Sequence, residues 1–254
     1  MEARLGSNSR RGVHGITRIP VLFFWFGGAI FVLNDFVFMA VKGTYWVFVA
    51  DYVFRVAILL LVLMGWRALK GSGISLSRFL FLRKDTARRR GAGWIGFAWV
   101  VGASVYGLTL HSYVRPFLHN LLPHTQTFAY HHLTGIRRLI DLFPGIGLVA
   151  LSEEAFFRGF AFRVLGVRTK NESESGLVPE EGNRWTPMRE MLSWRIGLLL
   201  ILFGIAHWSN GIDAVLTTAL TGAAFAAALL FTGSLWPALI AHFVIDFATF
   251  GGLV

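Results

Sequence analysis

The stretch Leu148-Val149-Ala150-Leu151-Ser152-Glu153-Glu154-Ala155-Phe156-Phe157-Arg158-Gly159 places two adjacent carboxylates and a guanidinium inside an apolar run. Carboxylates are among the costliest groups to hold in a bilayer or a dry core, so ionisable residues there are functional-site candidates by default. Two further polar pairs sit in equally apolar surroundings, Phe203-Gly204-Ile205-Ala206-His207 and His242-Phe243-Val244-Ile245-Asp246.

The rest of the chain supplies the apolar setting. Its 254 residues are 55% hydrophobic and only 15% charged, against about 25% charged in soluble domains. The mean hydropathy is +0.58. Charges are confined to a few polar stretches rather than scattered with the 3.6-residue period of soluble helix surfaces. The fold class expected is all-α, a polytopic transmembrane helix bundle. A span needs about 20 apolar residues, which gives about seven spans, at roughly 20–41, 44–66, 92–114, 143–164, 193–209, 212–231 and 235–253, with the fifth the shortest. The segment 115–141, with Pro123, His119, His124, Tyr130, His131 and His132, reads as an external loop or interfacial helix. The division expected is 1–142 for the first three spans with their loops and 143–254 for a catalytic core of the last four, all within one membrane domain.

Basic residues set the orientation. Arg4, Arg10, Arg11 and Arg18 precede the first span. Arg67, Lys70, Arg78, Arg83, Lys84, Arg88, Arg89 and Arg90 follow the second. Arg163, Arg168, Lys170, Arg184, Arg189 and Arg195 flank the polar stretch 171–184, which reads as a flexible loop. These belong on the cytoplasmic side, with the amino terminus inside and the carboxyl terminus outside. The first helix reads as an uncleaved span rather than a signal peptide, because its apolar region is long and no clear small-residue cleavage site follows. The net charge of +10 then reflects topology and contact with anionic lipid head groups. The arginines flank spans and form no stripe interleaved with aromatics, so nucleic acid is not an expected partner. With no cysteine in the chain, disulfides and cysteine-ligated metal sites are excluded.

Helical spacing sorts the carboxylates. Glu154 and Arg158 are four apart, the favourable order for an intrahelical ion pair. Glu153 points about 100° away, faces another neighbour, and is the candidate reactive carboxylate. Phe203 and His207 share one helix face, as do His242 and Asp246, and a carboxylate beside a histidine fixes its ring and tautomer. Three helices could thus gather Glu153, His207, His242 and Asp246 around one water-containing pocket. A single membrane histidine is usually just a bonded interhelical contact; matched pairs on separate helices fit that reading poorly.

The three words Glu153-Glu154-x-x-x-Arg158, Phe203-x-x-x-His207 and His242-x-x-x-Asp246 resemble, in order, the signature motifs of the CPBP family of intramembrane glutamic proteases, which includes CAAX prenyl endopeptidases and bacteriocin-processing or Abi-type proteins. Phe156-Phe157-Arg158-Gly159 and Thr232-Gly233-Ser234-Leu235-Trp236-Pro237-Ala238 agree with it. The resemblance spans about 143–250, and nothing in 1–142 adds to it. It implies peptide-bond hydrolysis in the membrane without a covalent intermediate. Glu153 would activate water with help from His207, while His242 and Asp246 take the positions associated with the developing oxyanion. Glu154 and Arg158 match a structural pair. An ionised carboxylate only accepts hydrogen bonds, so Asp246 is expected to act by holding His242 as an imidazolium donor.

Other classes compete. Glu153, His207, His242 and Asp246 could ligate zinc, but no H-E-x-x-H word is present and the ligands are dispersed singly, so no cofactor or metal is expected. A proton-coupled transporter would show repeats or paired broken helices, and neither is visible. A non-catalytic immunity or scaffold protein could keep the fold. The expected partners are a membrane-associated peptide or protein substrate and membrane lipids, and the expected location is a bacterial cytoplasmic membrane. Candidate substrates are a prenylated carboxyl-terminal peptide, a bacteriocin or pheromone leader, and a carboxyl-terminal sorting tag. Asp51 and Arg55 in the second span read as a structural i,i+4 pair, while Asn34 and Asp35 face the bundle interior or line substrate access. The small-residue run 221–228 is a helix-packing surface.

Overall fold

The computed structural model describes residues 18–41, 46–69, 75–80, 92–122, 133–169 and 186–253. The histidine-rich segment 123–132, most of the basic loop after the second helix and the polar stretch 171–184 lie outside them. Among the described residues every regular element is helical. They are α1 (Arg18–Val41), α2 (Trp46–Leu69), α3 (Leu76–Phe79), α4 (Ala92–Thr109), α5 (Arg115–Leu121), α6 (Gly135–Ile140), α7 (Ile146–Glu154), α8 (Ala161–Leu165), α9 (Pro187–Met191), α10 (Trp194–Ile205), α11 (Ile212–Thr232) and α12 (Trp236–Phe250).

Three π segments join shorter pieces into long rods. Leu110–Val114 links α4 to α5, Asp141–Gly145 links α6 to α7, and Ala155–Phe160 links α7 to α8. A proline removes one backbone donor from a helix. The first two π segments lie beside such a position, Pro116 just after one and Pro144 within the other, where the wider turn absorbs the missing bond. The third holds no proline and lies at the polar cluster, a common place for π-bulges. These rods correct the reading of 115–141: residues 115–121 continue the third long helix and 135–141 begin the fourth.

Burial is inverted relative to a soluble protein. Trp25, Phe26, Val53, Leu60 and Phe97 point outward and are exposed, whereas Asn34, Asp35, Glu153, Glu154, Arg158 and His242 are buried. Such a surface suits a lipid environment, where no water competes for apolar side chains. Among the described residues four helices are long and apolar enough to cross a membrane, at Arg18–Val37, Trp46–Ala68, Gly93–Leu121 and Ile212–Thr232; Trp194–Ile205 and Trp236–Phe250 are shorter apolar helices. The protein is an integral membrane helix bundle.

Its core is aromatic. Phe156, Phe157 and Phe160 from the third π segment are fully buried against Phe24 and Phe31 of α1, Ile58, Leu61 and Val62 of α2, and Phe203 of α10. At Gly27 the backbone of α1 passes so close to the Phe156 ring that any β-carbon there would overlap it. A second cluster joins Ala103 of α4, Phe225 and Ala228 of α11, and Ala238, Ala241 and Ile245 of α12. The small residues of 221–228 therefore do serve close packing, with α11 lying against α4, α10 and α12.

Candidate active site

Glu153 and Glu154 close α7 just before the third π segment, and both are buried. Their carboxylates diverge. Glu154 Oε1 accepts from Arg158 Nη1 at 3.0 Å and lies 2.9 Å from His242 Nδ1 on α12. Arg158 also donates Nη2 to the Gly222 carbonyl at 3.1 Å and stacks its guanidinium 4.1 Å over the Phe203 ring. This guanidinium reaches α11 because residue 222 is glycine: a β-carbon there would lie 2.7 Å from the Phe203 ring and 2.9 Å from Arg158 Nη2.

Glu153 turns the other way, as its position in the helix requires, and meets a partner from outside the motif-bearing segment. Arg55 Nη1 on α2 donates to Glu153 Oε1 at 2.5 Å, while Arg55 Nε donates to Asp51 Oδ1 at 2.9 Å. Asn34 Nδ2 on α1 donates to the same Asp51 oxygen at 3.2 Å. The Asp51–Arg55 pair is therefore present as expected, and Arg55 also reaches the Glu153 cluster. Glu153 Oε2 is buried and accepts no hydrogen bond from the described residues. It lies 3.8 Å from His207 Nε2 and 3.7 Å from His242 Nε2.

His207 reaches this point differently from the spacing argument. Helix α10 stops at Ile205, and His207 occupies the following turn with φ −117° and ψ 23°. Its ring returns to the helix because Nδ1 contacts the Phe203 carbonyl at 3.0 Å. Carbonyls in the last turn of a helix lack intrahelical donors, so this ring supplies one as the Nδ1–H tautomer. In a neutral ring that tautomer makes Nε2, facing Glu153, the acceptor. His242 and Asp246 keep their i,i+4 geometry on α12, with Nε2 at 3.3 Å from Asp246 Oδ2. The Phe225 ring stacks on His242 with centroids 5.0 Å apart.

Glu153, His207, His242 and Asp246 all line one cavity of about 240 Å³. Asp35, Asp51, Arg55 and His111 line it too. Asp35 faces the bundle interior, where Oδ2 accepts from the Ser209 backbone at 3.2 Å and holds the turn that carries His207. Sequence reasoning did not reach His111 or the role of Arg55. The signal for Arg55 was present, a cation in an apolar span, but Asp51 one turn away already offered it a partner. Among the described residues no three His, Asp or Glu side chains are grouped as metal ligands, and Arg55 already occupies one oxygen of Glu153.

Residues 136–248 match the family described as type II CAAX prenyl endopeptidase, Rce1-like. The match contains all three polar words and every residue of the Glu153 cluster except those from α1, α2 and the Leu110–Val114 π segment. The matched segment, less than half of the chain, is similar to the CAAX-type protease family, a likeness that supports a peptide-bond hydrolase. No curated protein and no solved structure matched the chain.

Proposed function

We propose that the protein is an intramembrane endopeptidase in which Glu153 and His207 activate water to hydrolyse a peptide bond of a membrane-associated or lipidated substrate. The observation that carries this reading is the Glu153 Oε2 atom, held in a polar cavity 3.8 Å from His207 Nε2 and 3.7 Å from His242 Nε2. Those separations exceed a hydrogen bond and suit a bridging water.

In this mechanism the water gives a proton to Glu153 as its oxygen attacks the carbonyl carbon, and the carbonyl π pair moves to oxygen. His207 Nε2 accepts a hydrogen bond from the same water and directs its lone pair. The His242 imidazolium, with Glu154 at one nitrogen and Asp246 at the other, presents positive charge to the oxyanion. Preorganised charge of this kind usually contributes more to acyl-transfer catalysis than any other single effect. The Glu153 proton then passes to the amide nitrogen and the C–N bond breaks, releasing an amine and a carboxylic acid whose remaining proton passes to the amine. Arg55 fixes the carboxylate so that Oε2 stays toward the water. Glu154 and Arg158 hold the helix and the His242 ring. Water activation is assigned to Glu153 and His207 in this reading.

The test compares membrane and secreted proteomes of cells carrying wild-type or Glu153→Gln protein. Uncleaved substrate accumulates in the variant. Identical proteomes from two equally well inserted proteins would overturn the assignment, and full activity in chelator would separate it from a zinc enzyme.

A further inference from the structure

The cavity gathers residues from seven long helices, and most lie toward one end of the bundle, with Glu153 near the middle of its rod. Asp35 is six residues from the end of α1, and Asp51 and Arg55 lie in the first part of α2. With a rise of about 1.5 Å per residue, Asp35 is about 9 Å from its helix end. His111 and Arg115 belong to the far end of the α4–α5 rod. His207 and Asn210 follow the end of α10, and Asp246 and Phe250 close α12. At this end the lining is partly open: Asn210 and Arg115 are half-buried and Phe250 is exposed.

The opposite end is sealed. Below the carboxylates lie Arg158, locked by Glu154 and the Gly222 carbonyl, and then the fully buried rings of Phe156, Phe160 and Phe203. Among the described residues, the partly open lining lies at the end marked by Asn210, Arg115 and Phe250, the way to Glu153 for water and an extended peptide.

The sequence labels that end. Of the 24 Lys and Arg residues, Arg55 and Arg158 lie within the cluster, and Lys42, Arg115, Arg137 and Arg138 flank the open end. By position in the sequence, the other eighteen fall up to the start of α1, from the end of α2 to the start of α4, and from α8 to the start of α10, the connections away from that opening. Loops rich in Lys and Arg stay cytoplasmic. Resting on the peptidase reading above, we propose that the active site opens to the extracytoplasmic side and takes exported, membrane-anchored polypeptides, cut near the outer end of their anchor. A lipidated protein on the cytoplasmic leaflet lies on the sealed side, behind the aromatic layer.

The chain has no cysteine, so single cysteines report topology without a background. Leu253→Cys and Asn210→Cys mark the open end, and Ser75→Cys marks the other; intact and permeabilised cells are treated with a membrane-impermeant maleimide. In intact cells both open-end cysteines label at least tenfold more than Ser75→Cys, which labels only after permeabilisation. Labelling of Ser75→Cys alone in intact cells would invert the orientation and overturn the proposal. Labelling of Leu253→Cys with Asn210→Cys inert in both preparations would overturn access from that end. The same labelling in a Glu153→Gln background reads orientation independently of catalysis, so a failed peptidase reading leaves this result interpretable. Substrates accumulating in that background carry their cleavage sites on the exported side of their anchors; cytosolic cleavage sites would overturn the substrate class.

Discussion

Arg55 Nη1 on the second helix donates to Glu153 Oε1 on the fourth, a contact between residues 98 positions apart in the sequence. It joins the amino-terminal helices to the segment that carries the family match, and it leaves only the second carboxylate oxygen free to face the histidines. A guanidinium can serve Asp51 through Nε and Glu153 through Nη1 at once; an ammonium offers a point charge without that fork.

Arg55→Lys is therefore expected to insert and fold while losing most of its turnover. Arg55→Ala leaves Glu153 and Asp51 as uncompensated buried charge, at a cost of roughly 3–5 kcal/mol, and lowers the detergent melting temperature as well. Thermal melts and substrate turnover of the two variants side by side check this. Wild-type turnover in Arg55→Lys would show that the fork does not position Glu153.

Glu153→Gln keeps the shape of the side chain and removes its basicity. The variant is expected to insert normally, melt close to wild type and cleave nothing. Near-normal turnover would sink the glutamate-base mechanism.

Much of this architecture is legible in the residues themselves. The hydropathy pattern announces a membrane helix bundle because apolar runs of span length have few other uses. The words around Glu153, His207 and His242 mark the cavity because each breaks an apolar run. Arg55 was hidden because Asp51 offers it a partner one turn away, and no local spacing shows that α2 packs its Arg55 face on α7. The position of His207 beyond its helix was hidden for a similar reason. A ring returning to the Phe203 carbonyl mimics the i,i+4 spacing of a continuing helix. The helical stretches 115–121 and 135–141 were missed because the segment's histidines and Pro123 read as a loop or interfacial helix, whereas π turns carry the long helices through them.

Breaking the second buried pair should cost more stability than removing Glu153. Arg158 has Glu154 as its carboxylate hydrogen-bond partner, so Glu154→Ala or Arg158→Ala leaves a charge uncompensated, at a cost of roughly 3–5 kcal/mol. In Glu153→Ala, Arg55 keeps Asp51. Gly222→Ala pushes a methyl against Arg158 and Phe203 and is expected to destabilise in the same direction. Equal melting temperatures for Glu153→Ala, Glu154→Ala and Arg158→Ala would show that the division of roles is wrong.

The last prediction concerns Asp246, 3.3 Å from His242 Nε2. If it acts by holding the imidazolium, Asp246→Asn removes a counter-charge while preserving shape, so activity falls and the pH–rate profile changes. If a protonated Asp246 instead donated to the oxyanion, the amide would be the better donor and would keep or raise the rate on an unchanged profile. The geometry favours the first outcome: with Glu154 at Nδ1 and Asp246 at Nε2, both ring nitrogens of His242 face carboxylates, and an ionised carboxylate can only accept. Glu154 still supports the ring in the Asp246→Asn variant, so the expected loss is partial, about 10–100-fold on the scale of 1.4 kcal/mol per decade. A pH–rate series of wild type and Asp246→Asn on one substrate separates the two. Full activity with an unshifted profile would overturn the orienting role.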